Sequence, residues 1–184
     1  YKGLDQLEAI SQKVNPLVKQ LRAKGISVKY DDRDTQKPGF KFNEYELKGV
    51  PVRLAIGQRD LDNGTFEVAR RDNLAKETVL AEDLISKIEF LMEDIQSNIF
   101  QRAFDFRNAN ITEVNSYDEF KDVLEKKGGF IAAYWDGTSE TEERIKEETK
   151  ATIRCIPLEA KSESGSCMVT GKPSARRVLF AKAY

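Results

Sequence analysis

The stretch of sequence that decides the fold is DDRDTQKPGFKFNEYELKGVPVRLAIG, residues 31–57. Proline is well tolerated in the first turn of a helix and glycine commonly ends one, so Pro38 and Gly49 predict a short helix over Phe40 to Lys48. Val50 to Ile56 is apolar enough to predict a strand that is buried on both faces. Acidic, basic and aromatic side chains alternate along the helix, which indicates a surface that reads a polar ligand.

Helical periodicity dominates two longer segments on either side of this stretch. Apolar residues recur every three or four positions from Leu4 to Ala23, and again from Ala81 to Asn108, which contains neither glycine nor proline. Pro16 predicts a kink or a short break near Asn15. We interpret the apolar face of the second segment as core packing. The two faces consist of Leu7, Ile10, Val14, Leu17, Val18 and Leu21, and of Leu84, Ile85, Ile88, Leu91, Met92, Ile95, Ile99, Ala103 and Phe106.

Short β-rich segments alternate with the helices and predict two small sheets. The order strand, helix, strand, hairpin in the first half predicts a mixed sheet with helices against it. Gly25 is the predicted end of the first helix. Capping signals predict helices after Ser116 and after Ser139, each with a glutamate three residues later. The predicted strands are Ile26 to Tyr30, Thr65 to Arg70, Lys76 to Leu80, Phe130 to Tyr134, Thr152 to Ile156 and Arg177 to Lys182.

Composition excludes several classes of function. The formal net charge of −1 argues against a general polyanion binder, so any RNA contact must be local. The 184 residues include no histidine, the commonest general base near neutral pH, which makes catalysis by this chain unexpected. Two cysteines and the lack of a signal-like or membrane-length apolar run predict free thiols in a reduced, cytoplasmic setting.

The motifs of residues 31–64 resemble the anticodon-binding domain of class II prolyl-tRNA synthetases of the archaeal and eukaryotic type. The resemblance rests on the DDRD turn, on PGFKFNEYELKGVPVR at residues 38–53 and on GQRDLDNG at residues 57–64, and it continues to the C-terminus. It implies an α/β fold in two parts. Residues 1–100 would form a class IIa anticodon-binding domain, with a mixed sheet flanked by helices and its first strand placed before Tyr1. A long helix would join it to a small α+β C-terminal domain, residues 101–184.

The resemblance also implies the activity of a longer protein. Prolyl-tRNA synthetases attach proline to tRNA(Pro) in two ATP-dependent steps through prolyl-adenylate, as cytoplasmic homodimers that use ATP and Mg. The chain opens at Tyr1 on a helical pattern, so we expect it to be a piece of such an enzyme without the catalytic core. The expected partners are tRNA(Pro), through its anticodon loop, and the enzyme's own catalytic domain. No catalytic residue, cofactor, membrane contact or DNA contact is expected of this chain.

Recognition of an anticodon requires an aromatic plane for stacking and polar groups aimed at the edges of unstacked bases. Phe42 and Glu46 are four residues apart on the predicted helix and so share a face, and Arg53 lies on the next strand. By the resemblance, these three positions are the base readers: Phe42 would stack, Glu46 would accept from a guanine amino group, and Arg53 would donate to guanine oxygen and nitrogen. The expected contacts to the tRNA backbone are Arg33, Lys41 and Lys48.

Simpler explanations exist for the same residues. Phe42 is also compatible with an ordinary core position on an amphipathic helix. Glu46 is compatible with a surface ion pair that contributes little to stability. Arg59 and Asp60 are interpreted as a pair that braces the turn after the strand. The candidate cations for Glu46 are Lys41, Lys48 and Arg53.

The second domain resembles a C-terminal extension that in many members of the family holds zinc with four cysteines. The matching positions here are Asp136, Thr141, Cys167 and Thr170, so a single thiol remains. Threonine hydroxyls are poor zinc ligands, and we therefore predict that the chain binds no zinc. The surrounding motifs are intact, which indicates loops that keep their shape by packing and hydrogen bonds.

The resemblance also implies a role for the last residue. In the family the carboxylate of the terminal tyrosine lies near the catalytic domain, so Tyr184 is expected to help order the active site of the full-length enzyme. A plain strand end with a free tail is the alternative.

Three functions compete at this stage. The first is a tRNA-recognition module with a zinc-less scaffold domain from a proline–tRNA ligase. The second is a partner-docking or regulatory module that has the anticodon-binding fold without reading tRNA. The third is a small stand-alone α/β enzyme, which would need a nucleophile and base pair or a phosphate loop that the sequence does not show.

Overall fold

The structure is a computed structural model that describes residues 4–158, 160 and 162–183, without the side chains of residues 4–6. The chain divides between Gln101 and Arg102 into two compact units, and each unit has its own hydrophobic core. No helix among the described residues is long and apolar enough to cross a membrane.

The first unit packs helices against a three-stranded antiparallel sheet with the order β1-β2-β3. Its core includes Leu21, Phe66, Val68, Leu84 and Ile88. The helix that ends the unit, α4, continues across the boundary into the second unit. In chain order the elements are α1 (Leu4–Ala23), α2 (Pro38–Leu47), β1 (Val52–Ala55), α3 (Gln58–Asn63), β2 (Thr65–Arg70), β3 (Lys76–Leu80) and α4 (Leu84–Ala109).

Helix α1 runs through Pro16 without interruption, so of the expected kink or short break near Asn15 the break is wrong and the kink stays a prediction. Packing decides the outcome, because Leu21, only 2% exposed, anchors the far end of the helix in the core. The helix ends as predicted at Gly25, whose φ of 80° is left-handed. The amide of Ile26 then donates to the Leu21 carbonyl at 3.0 Å, which completes a Schellman cap.

The predicted strand over Ile26 to Tyr30 is wrong, since these residues belong to no ladder among the described strands. A strand requires a neighbour for its backbone groups, and sequence pattern alone does not supply one. The segment instead lines an apolar cavity of about 870 Å³ together with α1, α2 and β1. The strand that the resemblance places before Tyr1 lies outside the described residues.

A charged cluster fastens the turn between β2 and β3 to α4. Arg70 contacts Asp72 at 2.7 Å and Asp94 at 2.6 Å, and Asn98 donates to the Asp72 carboxylate at 2.6 Å. The Asp72 side chain is fully buried, and the hydrogen bonds from Arg70 lower its pKa to about 2. The position of the turn is therefore fixed by side chains of a rigid helix.

Helix α4 forms over the predicted long helical segment, but only the first half of its predicted core face is buried. Leu84, Ile88, Leu91 and Ile95 are buried, as the periodicity indicates. In the second half of the helix the same stripe is exposed, with Phe106 at 73%, so core packing is the wrong interpretation there. The sheet of the first unit is too short to cover more than the first half of a 26-residue helix.

The second unit is built on a mixed four-stranded sheet with the order β4-β5-β9-β6, in which β4 and β5 are parallel. Phe120 and Phe180 are fully buried and meet edge to face at 5.3 Å. Gly165 lies against the Tyr134 ring, where a Cβ atom would come within 2.2 Å of a ring carbon. The elements are β4 (Ile111–Glu113), α5 (Tyr117–Lys126), β5 (Phe130–Tyr134), α6 (Ser139–Thr149), β6 (Ala151–Cys155), β7 (Gly165–Ser166), β8 (Pro173–Ser174) and β9 (Arg177–Lys182).

Of the two predicted helix caps of this unit, one is confirmed and the other is not. The capping box of Ser116 and Glu119 is present at the start of α5. At α6 the predicted cap is wrong by one residue, because the capping side chain is that of Thr138 and accepts from the Thr141 amide. Threonine and serine are both good N-caps, so the sequence alone does not separate the two positions.

Candidate functional site

Helix α2 presents the candidate site, and both of its ends form as the sequence predicts. It begins at Pro38 and ends in a Schellman cap at Gly49, whose φ is 80°. The Gly49 amide donates to the Glu46 carbonyl at 3.1 Å, and the Val50 amide donates to the Tyr45 carbonyl at 3.0 Å. This cap turns the chain directly from the end of α2 into β1, which brings side chains of both elements together.

The side chains of Phe42 and Arg53 stack on one another at the junction of α2 and β1. The guanidinium carbon of Arg53 lies 3.6 Å from the ring centroid of Phe42, close enough for a cation–π contact. Phe42 is half-buried and lies outside the core cluster of its unit, so the interpretation as an ordinary core residue is wrong. The guanidinium therefore covers one face of the ring.

Glu67 on β2 holds the guanidinium of Arg53 from the other side. Arg53 Nη1 donates to Glu67 Oε1 at 3.3 Å, and the Arg53 side chain is 12% exposed. Arg53 lies opposite Ala69 in the antiparallel register, which puts Glu67 on the same face two residues away. The Arg53 Nε atom is buried and has no acceptor among the described residues. Because this atom is buried, a ligand can reach Arg53 only at the small part of its side chain that stays exposed.

The carboxylate of Glu46 lies one helical turn after Phe42 and is half-buried. Within the described part of the chain it makes no ion pair or hydrogen bond, so its interpretation as a surface ion pair is wrong. The cations that were candidates for it contact other carboxylates, at Asp31, Glu44 and Glu67. A carboxylate without a partner among the described residues therefore lies one helical turn from the ring on which Arg53 stacks.

Two other carboxylates organise the cations around α2. Asp31 contacts Arg33 at 2.6 Å and Lys41 at 3.3 Å, while Glu44 contacts Arg33 at 2.7 Å and Lys48 at 2.5 Å. Hydrogen bonds from Arg33 hold the pKa of Asp31 well below its usual range, and those from Lys48 and Arg33 lower the pKa of Glu44. Three cations thus surround two carboxylates, which leaves the cluster with a net positive charge. Lys41 is the least exposed of the three.

The turn after β1 differs from its interpretation in the sequence. Residues 58–63 form the short helix α3, and Asp60 caps it by accepting from the Gly57 amide at 2.9 Å. Its other oxygen accepts from Thr65 at 3.4 Å. The predicted pair of Arg59 with Asp60 is therefore wrong, because the carboxylate is occupied by the helix start.

Sequence reasoning missed Arg71, which reaches the site from the turn after β2. Its Nε donates to the Glu46 carbonyl at 2.8 Å, and its backbone amide donates to the Pro51 carbonyl at 2.9 Å. A cation at the C-terminal end of a helix is favoured by the helix dipole. No local signal reveals this contact, because 25 residues separate the donor and the acceptor.

A second polar cluster lies in the second unit at the positions that match the family's zinc ligands. One oxygen of Asp136 accepts from Thr141 at 3.0 Å and from Thr170 at 2.9 Å, and the other accepts from the Thr138 hydroxyl at 2.9 Å and from its amide at 3.2 Å. Cys167, the fourth matching position, is buried and has a free thiol. Burial raises the pKa of Asp136, but the hydrogen bonds from the threonines outweigh it, so the pKa lies below its usual value.

This cluster does not fit zinc chemistry. The threonine hydroxyls donate their protons to Asp136 and offer no charged ligand, and zinc requires four good ligands. The described residues contain no group of three or more cysteine, aspartate or glutamate side chains arranged to hold a metal. The lack of zinc stays a prediction. Tyr184, the expected active-site-ordering residue, lies outside the described residues.

Comparison with known proteins gives two family models and many close relatives. The model for the anticodon binding domain matches residues 4–91, and the model for the prolyl-tRNA synthetase C-terminal region matches residues 117–184. A proline–tRNA ligase of Flavobacterium johnsoniae is 62% identical over 184 residues, which is all of this chain and 37% of that protein. The proline–tRNA ligase of Phocaeicola vulgatus is 60% identical over 187 residues and 38% of its length. The chain thus spans less than two fifths of these relatives.

Proposed function

The chain belongs to the proline–tRNA ligase family, and from this premise we propose that it recognises the anticodon of tRNA(Pro). The full-length enzyme would attach proline to that tRNA in two ATP-dependent steps through prolyl-adenylate. ATP and Mg would act in a catalytic domain outside this chain. The working enzyme would be a cytoplasmic homodimer.

The observation that carries the proposal is the arrangement of Phe42, Arg53 and Glu46. A guanidinium stacked on a ring at 3.6 Å offers a surface for an unstacked base, and the half-buried carboxylate of Glu46, one helical turn after the ring, has no partner among the described residues. Guanine has an amino group that a carboxylate can accept from, and a carbonyl and a ring nitrogen that a guanidinium can donate to. A guanine-containing proline anticodon matches both groups. No observation favours a partner-docking role.

The cations around α2 supply the contacts that carry no sequence information. We assign Arg33, Lys41 and Lys48 to the phosphates of the anticodon loop, in line with the net positive charge of their cluster. Asp31 and Glu44 hold these cations in fixed places, which reduces the entropy that binding would cost. Lys41 also donates to the backbone carbonyl of Asp31 at 3.2 Å, so it shapes the turn as well.

The two units would have different tasks. The first, residues 1–100, would read the anticodon, because all of the site residues lie in it. The second, residues 101–184, would be a scaffold in which the cluster around Asp136 holds together loops that zinc organises in other members of the family. Tyr184 would order the active site of the full-length enzyme.

Replacing Lys48 with alanine should weaken binding by about twofold to fivefold, which is the range for one exposed charge pair. The effect should be equal for RNA stem-loops with a proline anticodon and with exchanged anticodons, since a phosphate contact reads no base. Filter binding of the whole chain to both kinds of RNA measures this. A wild-type chain that binds exchanged anticodons as tightly as proline anticodons would contradict the proposed function itself.

A further inference from the structure

Arg71 occupies a fixed position next to the candidate base reader. It follows Arg70, which is fastened to α4 by its contacts with Asp94 and with the buried Asp72. Its own backbone amide donates to the Pro51 carbonyl at 2.9 Å, and its Nε donates to the Glu46 carbonyl at 2.8 Å. The guanidinium is thereby held at the end of α2, at the same residue whose carboxylate has no partner in the described part of the chain.

The outer edge of this guanidinium is available for a ligand. Arg71 is exposed, and within the described residues its Nη1 and Nη2 atoms make no hydrogen bond and contact no carboxylate. The other cations of the site already contact carboxylates. An incoming anion would have to displace or share the carboxylate at each of them. These cations are Arg33, Lys41, Lys48 and Arg53.

We propose that Arg71 is a further RNA-binding residue of this site, in which Nε caps α2 and the two Nη groups bind a phosphate of the anticodon loop. The planar fork of an arginine suits two parallel hydrogen bonds to one phosphate. A phosphate bound there lies next to Glu46, as required if the adjoining base is the one that Glu46 reads. The inference rests on the proposed function and adds a residue that aligns the RNA with the base readers.

The test is the salt dependence of binding of the whole chain to a stem-loop RNA with a proline anticodon. Removing one phosphate contact to single-stranded RNA should reduce the slope of log K against log salt by about 0.7. We expect this reduction for Arg71→Ala, with several-fold weaker binding, and a largely retained slope for Arg71→Lys, which keeps the charge. Lys19→Ala is the matched control, because Lys19 is an exposed cation on α1, and its slope should equal that of the wild type.

The outcomes separate three cases. An unchanged slope for Arg71→Ala, together with lost discrimination between anticodons, would mean that Arg71 only positions Glu46, and the phosphate contact would be refuted. Unchanged affinity and slope would refute both roles. A wild-type chain without preference for the proline anticodon would refute the proposed function, independently of any Arg71 variant.

Discussion

Replacing Asp136 with alanine should lower the free energy of unfolding of the second unit by about 2–4 kcal/mol. The carboxylate accepts four hydrogen bonds, from Thr138, Thr141 and Thr170. These threonines lie on two segments of the chain that are separated by almost 30 residues. Hydrogen bonds to a charged group each contribute about 1.5–3 kcal/mol. After the substitution, the partly exposed donors can form hydrogen bonds with water instead, so the net loss is smaller than the sum.

Urea denaturation followed by tryptophan fluorescence measures this prediction well. Trp135, the single tryptophan of the chain, lies next to Asp136, and its Nε1 donates to the Thr138 carbonyl at 3.1 Å. Asp122→Ala is the matched control, because Asp122 pairs with Lys126 on the exposed surface of α5 and its loss should change little. Equal midpoints for Asp136→Ala and Asp122→Ala would show that the cluster does not hold the loops together.

The contribution of the Asp136 carboxylate to stability decreases as the pH falls. The pKa of Asp136 in the folded chain lies below its ordinary value of 3.8, so the carboxylate stabilises the fold fully above that value. The stabilisation is lost as the pH falls through the folded-state pKa. The difference between wild type and Asp136→Ala should therefore shrink in acid below about pH 4.

Replacing Arg53 with alanine should weaken binding of a proline anticodon by roughly 1–3 kcal/mol and blur discrimination at one position. The substitution removes the guanidinium from the Phe42 ring and leaves Glu67 without one of its cations. It also removes the donors proposed to read guanine. Fluorescence anisotropy with RNAs that differ at one anticodon base measures both effects.

Two further variants show why binding weakens when Arg53 is replaced. Glu67→Gln removes the charge that holds Arg53 and leaves the guanidinium on the ring, so it should retain most of the discrimination. Arg53→Lys keeps a positive charge without the planar fork and should lose discrimination almost as fully as alanine. An Arg53→Ala variant that weakens every RNA to the same extent would assign Arg53 to the phosphates and remove it from the readers.

The sequence predicts those features whose cause is local. Gly49 ends α2 and the Ser116–Glu119 pair begins α5, because caps need only a few adjacent residues. Phe42 and Arg53 meet because the cap at Gly49 turns α2 directly into β1. The family resemblance points to the same two residues.

Features that depend on distant parts of the chain were missed or misjudged. Ile26 to Tyr30 has the pattern of a strand, yet a ladder requires a neighbouring strand that the segment itself does not encode. The stripe on α4 is periodic to its end, but burial depends on how far the sheet extends beneath it. Arg71 is invisible to any local pattern because its acceptor lies on another element.

Anticodon reading by this site depends above all on Glu46, which we propose accepts a hydrogen bond from the amino group of a guanine in the proline anticodon. The most direct measurement is a double-mutant cycle that combines Glu46→Ala, which removes the acceptor, with inosine in place of each anticodon guanine, because inosine differs by lacking that amino group. At one position, inosine should cost the wild-type chain about 1–3 kcal/mol of binding free energy and cost the Glu46→Ala variant almost nothing. Equal losses for both proteins at every guanine would contradict the account.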